Sequence, residues 1–486
     1  MYKSIWTIVV VAAIAALAAC GGGSGMGQTT SANSQPVTTM GTITAFGSVV
    51  VNGVHYDIAS ATITHNGDTV TQADLEVGHI ARVHGQRNHQ DNNGHADHVD
   101  VEDRLVGPIT AIDAGAGTLV ALGQSVTVDS GTSFGHNINP SGLAGLVVGD
   151  VVAISGLAAA DGTIAATRID LKSANHKFQV IGTVENLDAG AHKFTINALN
   201  VDYGTATVEG FAAGQPANGD IVEVKGTAFD TATTTLTATK VAPEEDAMQD
   251  ANHGDRVERE GLVTRFVSAT DFDVAGKAVT TTSTTVFEGG TAADLALNVR
   301  VEAEGSLDTS GVLVADKIEI RKEGIAELKG NVTAVDATAG TVTLLGVTVT
   351  VNADTRLEDK SAAGVEMFNL TSLNVGDTVE VRGFENPVGS GAITATRLER
   401  EPPKTTVVVG GFFIATTAPQ FTILGITIDS TNATFVQGER GTLTSADFFT
   451  RAPGQVVFVS GTLNGTTVMA DKIVLMTRHD CQDFQD

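Results

Sequence analysis

Short runs in which Val, Ile or Phe takes every second position recur along the chain, as in Asp377-Thr378-Val379-Glu380-Val381-Arg382-Gly383 and Asp220-Ile221-Val222-Glu223-Val224-Lys225-Gly226. A period of two sends alternate side chains to opposite faces of an extended backbone, so each run predicts a strand with one buried face. The runs are ordered. A unit opens on Gly and an alternating strand, as at Gly107-Pro108-Ile109-Thr110-Ala111 and Gly330-Asn331-Val332-Thr333-Ala334. A turn follows, then two short strands broken by a Gly, as in Thr343 to Val351, giving a three-stranded meander. Thr71-Gln72-Ala73-Asp74-Leu75, Thr291-Ala292-Ala293-Asp294-Leu295 and Thr444-Ser445-Ala446-Asp447-Phe448 carry helix-start chemistry, a capping Thr with Asp three residues on. A fourth strand ends on Gly, and a polar hairpin returns the chain into a fifth.

The fifth strand carries a phrase that repeats: Ala, then Asp or Thr, then a base, then a branched aliphatic. It reads Ala96-Asp97-His98-Val99, Ala166-Thr167-Arg168-Ile169, Ala238-Thr239-Lys240-Val241, Ala315-Asp316-Lys317-Ile318, Ala395-Thr396-Arg397-Leu398 and Ala470-Asp471-Lys472-Ile473. Each copy follows a strand-closing glycine, at Gly85, Gly156, Gly226, Gly305, Gly383 and Gly461. Internal repeats decide architecture. The expectation is an all-β tandem array of six small OB-like five-stranded β-barrel units, each with a short helical turn, because closure removes the free edges that five open strands would expose. Small β-sandwiches are the alternative. The units fall at 40–105, 106–176, 177–242, 261–322, 323–400 and 405–476. An acidic linker covers 243–260, and 401–404, with Pro402-Pro403, is a stiff spacer.

The phrases Val148-Gly149-Asp150-Val151-Val152 and Val375-Gly376-Asp377-Thr378-Val379, with the downstream Ala-x-base-aliphatic strand, resemble the repeated bacterial domain DUF5666. That family has no known function and is common in exported lipoproteins, so the resemblance brings no catalytic residues with it.

At 486 residues the chain exceeds what one core fills, which suits several small ones. Its 29 basic and 56 acidic residues, net -27, repel phosphate backbones, so nucleic acid is not an expected partner. Residues 1–20 read as a secretory signal, with Lys3 before the apolar Ile5 to Ala16. Leu17-Ala18-Ala19-Cys20 resembles a lipobox, which implies acylation of Cys20. Gly21 in the next position implies the outer membrane. Residues 21–39 are a flexible tether and 477–486 a tail in which Cys481 has no intramolecular partner once Cys20 is acylated.

Alternation sets the repeated base (His98, Arg168, Lys240, Lys317, Arg397, Lys472) on the outward face, beside fourth-strand acids such as Glu223, Glu302 and Glu380. Cross-strand ion pairing accounts for it without a ligand. Seven of the 12 histidines lie in the first unit: His55, His65, His79, His84, His89, His95 and His98. His79 stands where Asp150, Asp220 and Asp377 stand in other units. The candidate metal ligands are His84, His95, His98, Asp100 and Glu102, a set suited to Zn, Cu or Ni. No nucleophile turn, phosphate loop, HExxH or EF-hand is present. The expected role is therefore non-enzymatic. It is that of a lipid-anchored envelope protein, elongated, structural or adhesion-type, meeting envelope protein or polysaccharide through repeated faces, with divalent-metal binding by the first unit as the alternative.

Overall fold

The computed structural model describes residues 34–476 apart from 47, 89–91, 130, 174–176, 245–250, 252, 322–323, 366, 387–389, 416 and 439–440. The signal segment, Cys20, residues 21–33 of the tether, His89, Cys481 and the rest of the tail lie outside the described residues. What is described is nearly all β, in six repeated units, with one α-helix (Ser445–Arg451) and four single-turn 3-10 helices. The helical turns fall where the Thr-x-x-Asp pattern placed them: Asp74 and Asp294 accept the backbone N–H of Thr71 and Thr291 at 2.8 and 2.7 Å.

In repeat 1 the first strand, Ser34–Ala45, pairs antiparallel with Val49–Val51 and with the fourth strand, Ile80–Asn88. Val49–Val51 pairs with Val54–Asp57, which runs parallel to the fifth strand, Asn93–Val101, and the fifth returns antiparallel to the fourth. The pairings therefore form a ring around a core that includes Ile43, Val83, Val99 and Val101. The same cyclic order occurs in the other repeats. Between the second and third strands the turn residue takes positive φ. In repeat 2 this is Leu122, at φ 47°, and its side chain lies over Gly107, where a Cβ would come within 2.2 Å.

The repeated phrase is a β-bulge. Across the fourth and fifth strands Gly305 faces Ala315 while Glu304 faces Lys317, so Asp316 has no opposite number; Gly383, Ala395, Arg382, Arg397 and Thr396 do the same. The extra residue breaks the period of two, which is how Ala315 and Ile318, three apart, are both buried. The glycine is required because the bulged strand's carbonyl comes in under it: a Cβ on Gly305 would lie 2.0 Å from the Val314 oxygen, and one on Gly383 2.1 Å from that of Thr394.

The repeats are not beads on a string. Repeats 2 and 3 share a sheet through Gln179 and Val180 against Leu105 and Val106, and repeats 5 and 6 through Glu327 to Lys329 against Val408 to Gly410. Repeat 1 skips its neighbour: Val37 to Met40 run parallel to Arg256 to Arg259 of repeat 4. This corrects two boundaries. The tether ends before Ser34, since Ser34 to Thr39 already belong to a strand, and the acidic linker ends before Arg256, where the first strand of repeat 4 begins. Polar residues of these segments join the two barrels: Glu258 accepts from Thr39 at 3.0 Å, and Glu260 from the Thr42 N–H at 2.7 Å. The expected elongated chain of independent units gives way to repeats that fold back on one another.

Candidate functional site: a charged junction between repeats

Repeats 1, 2, 4 and 5 meet at side chains that a strand pattern assigns to solvent. Arg168 is only 1% exposed. Its Nε and Nη2 donate to the Asp170 carboxylate, both at 2.7 Å, and its Nη1 donates to the Val77 carbonyl of repeat 1 at 3.0 Å. Glu76 of repeat 1 and Glu358 of repeat 5 lie 3.5 and 3.8 Å away. Arg397 of repeat 5 donates to the Thr132 carbonyl of repeat 2 at 3.1 Å and pairs with Glu399. On the repeat 4 side Arg321 pairs with Glu302 and, at 2.6 Å, with Asp354 of repeat 5, while Arg300 holds Glu260 at 2.6 Å.

Outward from one barrel is therefore not outward to water. Of the repeated bases, Arg168 and Arg397 are buried, His98, Lys240 and Lys317 are half-buried and Lys472 is exposed. Lys240 pairs with Glu209 at 3.1 Å, and Lys317 with Glu319 at 3.5 Å and Glu288 at 3.7 Å. Glu223 and Glu302 are likewise buried. Burial pushes the Glu302 carboxyl up to about 7 against the pull of Arg321 and Lys317. Burial also acts on Glu260, but Arg300 and Arg321 prevail and hold it at about 2.

The candidate metal ligands do not converge. His84 faces His98 across the strand pair, and His84 Nδ1 is 3.2 Å from the Thr38 hydroxyl. His95 Nε2 sits 3.4 Å from the Ser60 hydroxyl. Asp100 accepts from Thr64 and lies 3.6 Å from Arg82; Glu102 lies 3.9 Å from the same guanidinium and is driven up to about 8 by burial and by Glu223 and Asp100. Alternation does set His84 opposite His98 and Arg82 opposite Asp100, but these side chains are taken by other partners, Thr38, Thr64 and Arg82.

Instead, among the described residues the His-containing group close enough to share an ion is His65, His79 and Asp103. His65 Nε2 is 2.9 Å from Asp103, whose carboxylate also accepts from Asn66 at 2.8 Å and Ser155 at 3.2 Å. His79 packs edge-on against His65, ring centroids 5.1 Å apart. Its Nδ1 accepts the Glu76 N–H at 3.1 Å, so the neutral ring carries its proton on Nε2, 3.6 Å from Asp170. The sequence singled out His79 by its place in the repeat; nothing in the pattern signalled His65 or Asp103 as its neighbours.

A protein-family model for a domain of unknown function, DUF5666, matches six times, over residues 37–100, 106–170, 181–242, 260–319, 329–399 and 413–474. The chain belongs to the DUF5666 family. No curated protein matches it. Each DUF5666 match contains the bulge glycine and the Ala-x-base-aliphatic phrase of its repeat, and the buried bases Arg168 and Arg397 occupy the phrase in the second and fifth matches. Among the described residues no helix is long and apolar enough to cross a membrane.

Proposed function

We propose that this DUF5666 protein is a non-enzymatic scaffold of the cell envelope, built of OB-like barrels and held at the outer membrane by acylation of Cys20. The observation that carries the reading is that the recurring residues are spent on architecture: the Gly and Ala on the bulge, and the bases of repeats 2 to 5 on ion pairs within and between repeats. No recurring set of nucleophile, base and orienting group accompanies them in the sequence. The partner is envelope protein or polysaccharide, met by faces of the assembled repeats. Two measurements test this. Cys20→Ser is expected to move the protein from the membrane pellet to the soluble fraction and remove the acyl mass, and an unchanged distribution contradicts the anchor. The soluble full chain is expected to cosediment with isolated cell-wall polysaccharide or envelope membranes, and retention no greater than that of an unrelated acidic β protein contradicts the binding role.

A second reading, capture of a divalent transition metal, has one observation in its favour: the group His65, His79, Asp103, with His79 Nε2 buried and without a hydrogen bond. Coordination through Nε2 requires the proton to leave and the Glu76 N–H to give up Nδ1. Titration calorimetry with zinc separates the readings. Heat lost in His65→Ala supports the metal, and identical traces for wild type and variant remove it.

A further inference from the structure

Where repeats 2, 4, 5 and 6 meet, a cleft of about 1100 Å³ has Leu157, Leu262, Ile320 and Phe384 in its lining. Three arginines reach it, Arg300, Arg321 and Arg356. Two have carboxylates: Arg300 has Glu260 and Arg321 has Glu302 and Asp354. Arg356 has none among the described residues, although it is only 5% exposed. Its hydrogen bond is Nη1 to the Gly131 carbonyl. The acids that act on it are committed elsewhere, Glu260 to Arg300 and the Thr42 N–H, Asp129 to the Gly131 N–H at 2.6 Å. Burial, and then the neighbouring Arg300, press the Arg356 guanidinium down to about 9.

The fold does not require a charge there. Arg356 faces the repeated base Arg397 across a parallel pairing. At the same place, opposite the base, repeats 1, 2, 3, 4 and 6 have Thr62, Ser133, Thr207, Val286 and Thr434. Repeat 5 alone puts a second cation beside the first. A guanidinium withdrawn from water without a carboxylate is destabilised, and an oxyanion offering two oxygens to its fork supplies the pairing.

We propose that Arg356 anchors a binding site in this cleft for a small organic anion, a single carboxylate or phosphate head on an apolar body. The cleft is of the size that small-molecule ligands occupy, and the apolar residues in its lining suit the body. Asp161 and Asp294 are exposed around it, and with the net charge of -27 they turn away polyanions while a single head can reach Arg356.

The test is calorimetric titration of the full chain with octanoate, octyl phosphate and octanol, on wild type, Arg356→Thr and Arg356→Met. Thr is the residue of three other repeats at this place, so Arg356→Thr is expected to fold, with a melting temperature equal to or above wild type. Wild type is expected to bind at least one of the two anions at least tenfold more tightly than octanol, and both variants to lose that preference. Three results overturn the proposal: neither anion binding better than octanol, anion binding that survives both substitutions, or both variants melting well below wild type, which would make Arg356 a structural residue.

Discussion

His79 does in repeat 1 what aspartate does elsewhere. Asp150, Asp220 and Asp377 each accept the backbone N–H three residues back, at 2.8, 2.8 and 3.0 Å, and His79 Nδ1 accepts that of Glu76 in the same way. What differs is the far side of the ring, which faces Asp170 and packs on His65. Restoring the aspartate is therefore expected to harm the protein. His79→Asp places a third carboxylate beside Asp103 and Asp170 in a buried site, and is predicted to cost about 3 kcal/mol in chemical denaturation, where His79→Asn costs less. Burial lowers the His79 proton affinity, outweighing Asp170. The folded state then binds fewer protons than the unfolded one as pH falls through the ordinary histidine value, so stability drops on acidification from about pH 6.5. His79→Asn is expected to flatten that part of the stability–pH curve, measured by urea midpoints between pH 7.5 and 5. The place of His79 in the repeat was legible in the sequence, but its partners were not, because Asp170 comes from the next repeat and His65 and Asp103 reach His79 only through the closure of the first barrel.

At the scale of the element, the phrase itself was legible and its geometry was not. Six copies of Gly followed by Ala-x-base-aliphatic marked a recurring strand pair, yet strict alternation places Ala96 and Val99 on opposite faces. Both are fully buried, because Gly85 faces Ala96 while His84 faces His98, leaving Asp97 as the extra residue. The x position favours residues that serve such a bulge: Thr239 and Thr396 donate back to the carbonyls of Lys225 and Arg382 at 3.1 and 3.3 Å. Gly383→Ala is predicted to destabilise by about 2 kcal/mol or more, because its Cβ meets a backbone carbonyl that cannot rotate away. Gly67→Ala, in a turn with open space around it, costs less, about 1 kcal/mol from its positive φ. Melting temperatures of the two variants check the ranking.

For the whole molecule, the all-β class and the six units follow from the pattern, while the arrangement of the units does not. The sheet that joins repeats 1 and 4 uses Val37 to Met40, in a segment whose Ser, Gln and Thr read as a tether. The barrels also meet through small apolar clusters, such as Ile80, Leu157 and Leu262 of repeats 1, 2 and 4, and a period of two does not tell these contacts from an ordinary core face. Charge placement contributes beside them: Arg168 of repeat 2 reaches repeats 1 and 5, and Lys472, at the same place in the phrase, stays exposed. Removing Arg168 takes from Asp170 both guanidinium hydrogen bonds and from the Val77 carbonyl its donor, so Arg168→Met is expected to cost about 3–5 kcal/mol. Lys472→Met should stay within about 0.5 kcal/mol of wild type by urea denaturation.

Hydrogen exchange read by mass spectrometry on Arg168→Met tests most directly whether the repeats are bound together through this junction. The prediction is faster exchange not only at 164–172 of repeat 2 but also at 75–80 of repeat 1 and 356–360 of repeat 5, with Lys472→Met changing none of these. Faster exchange confined to repeat 2 would contradict the account, since it would mean that each barrel stands by itself.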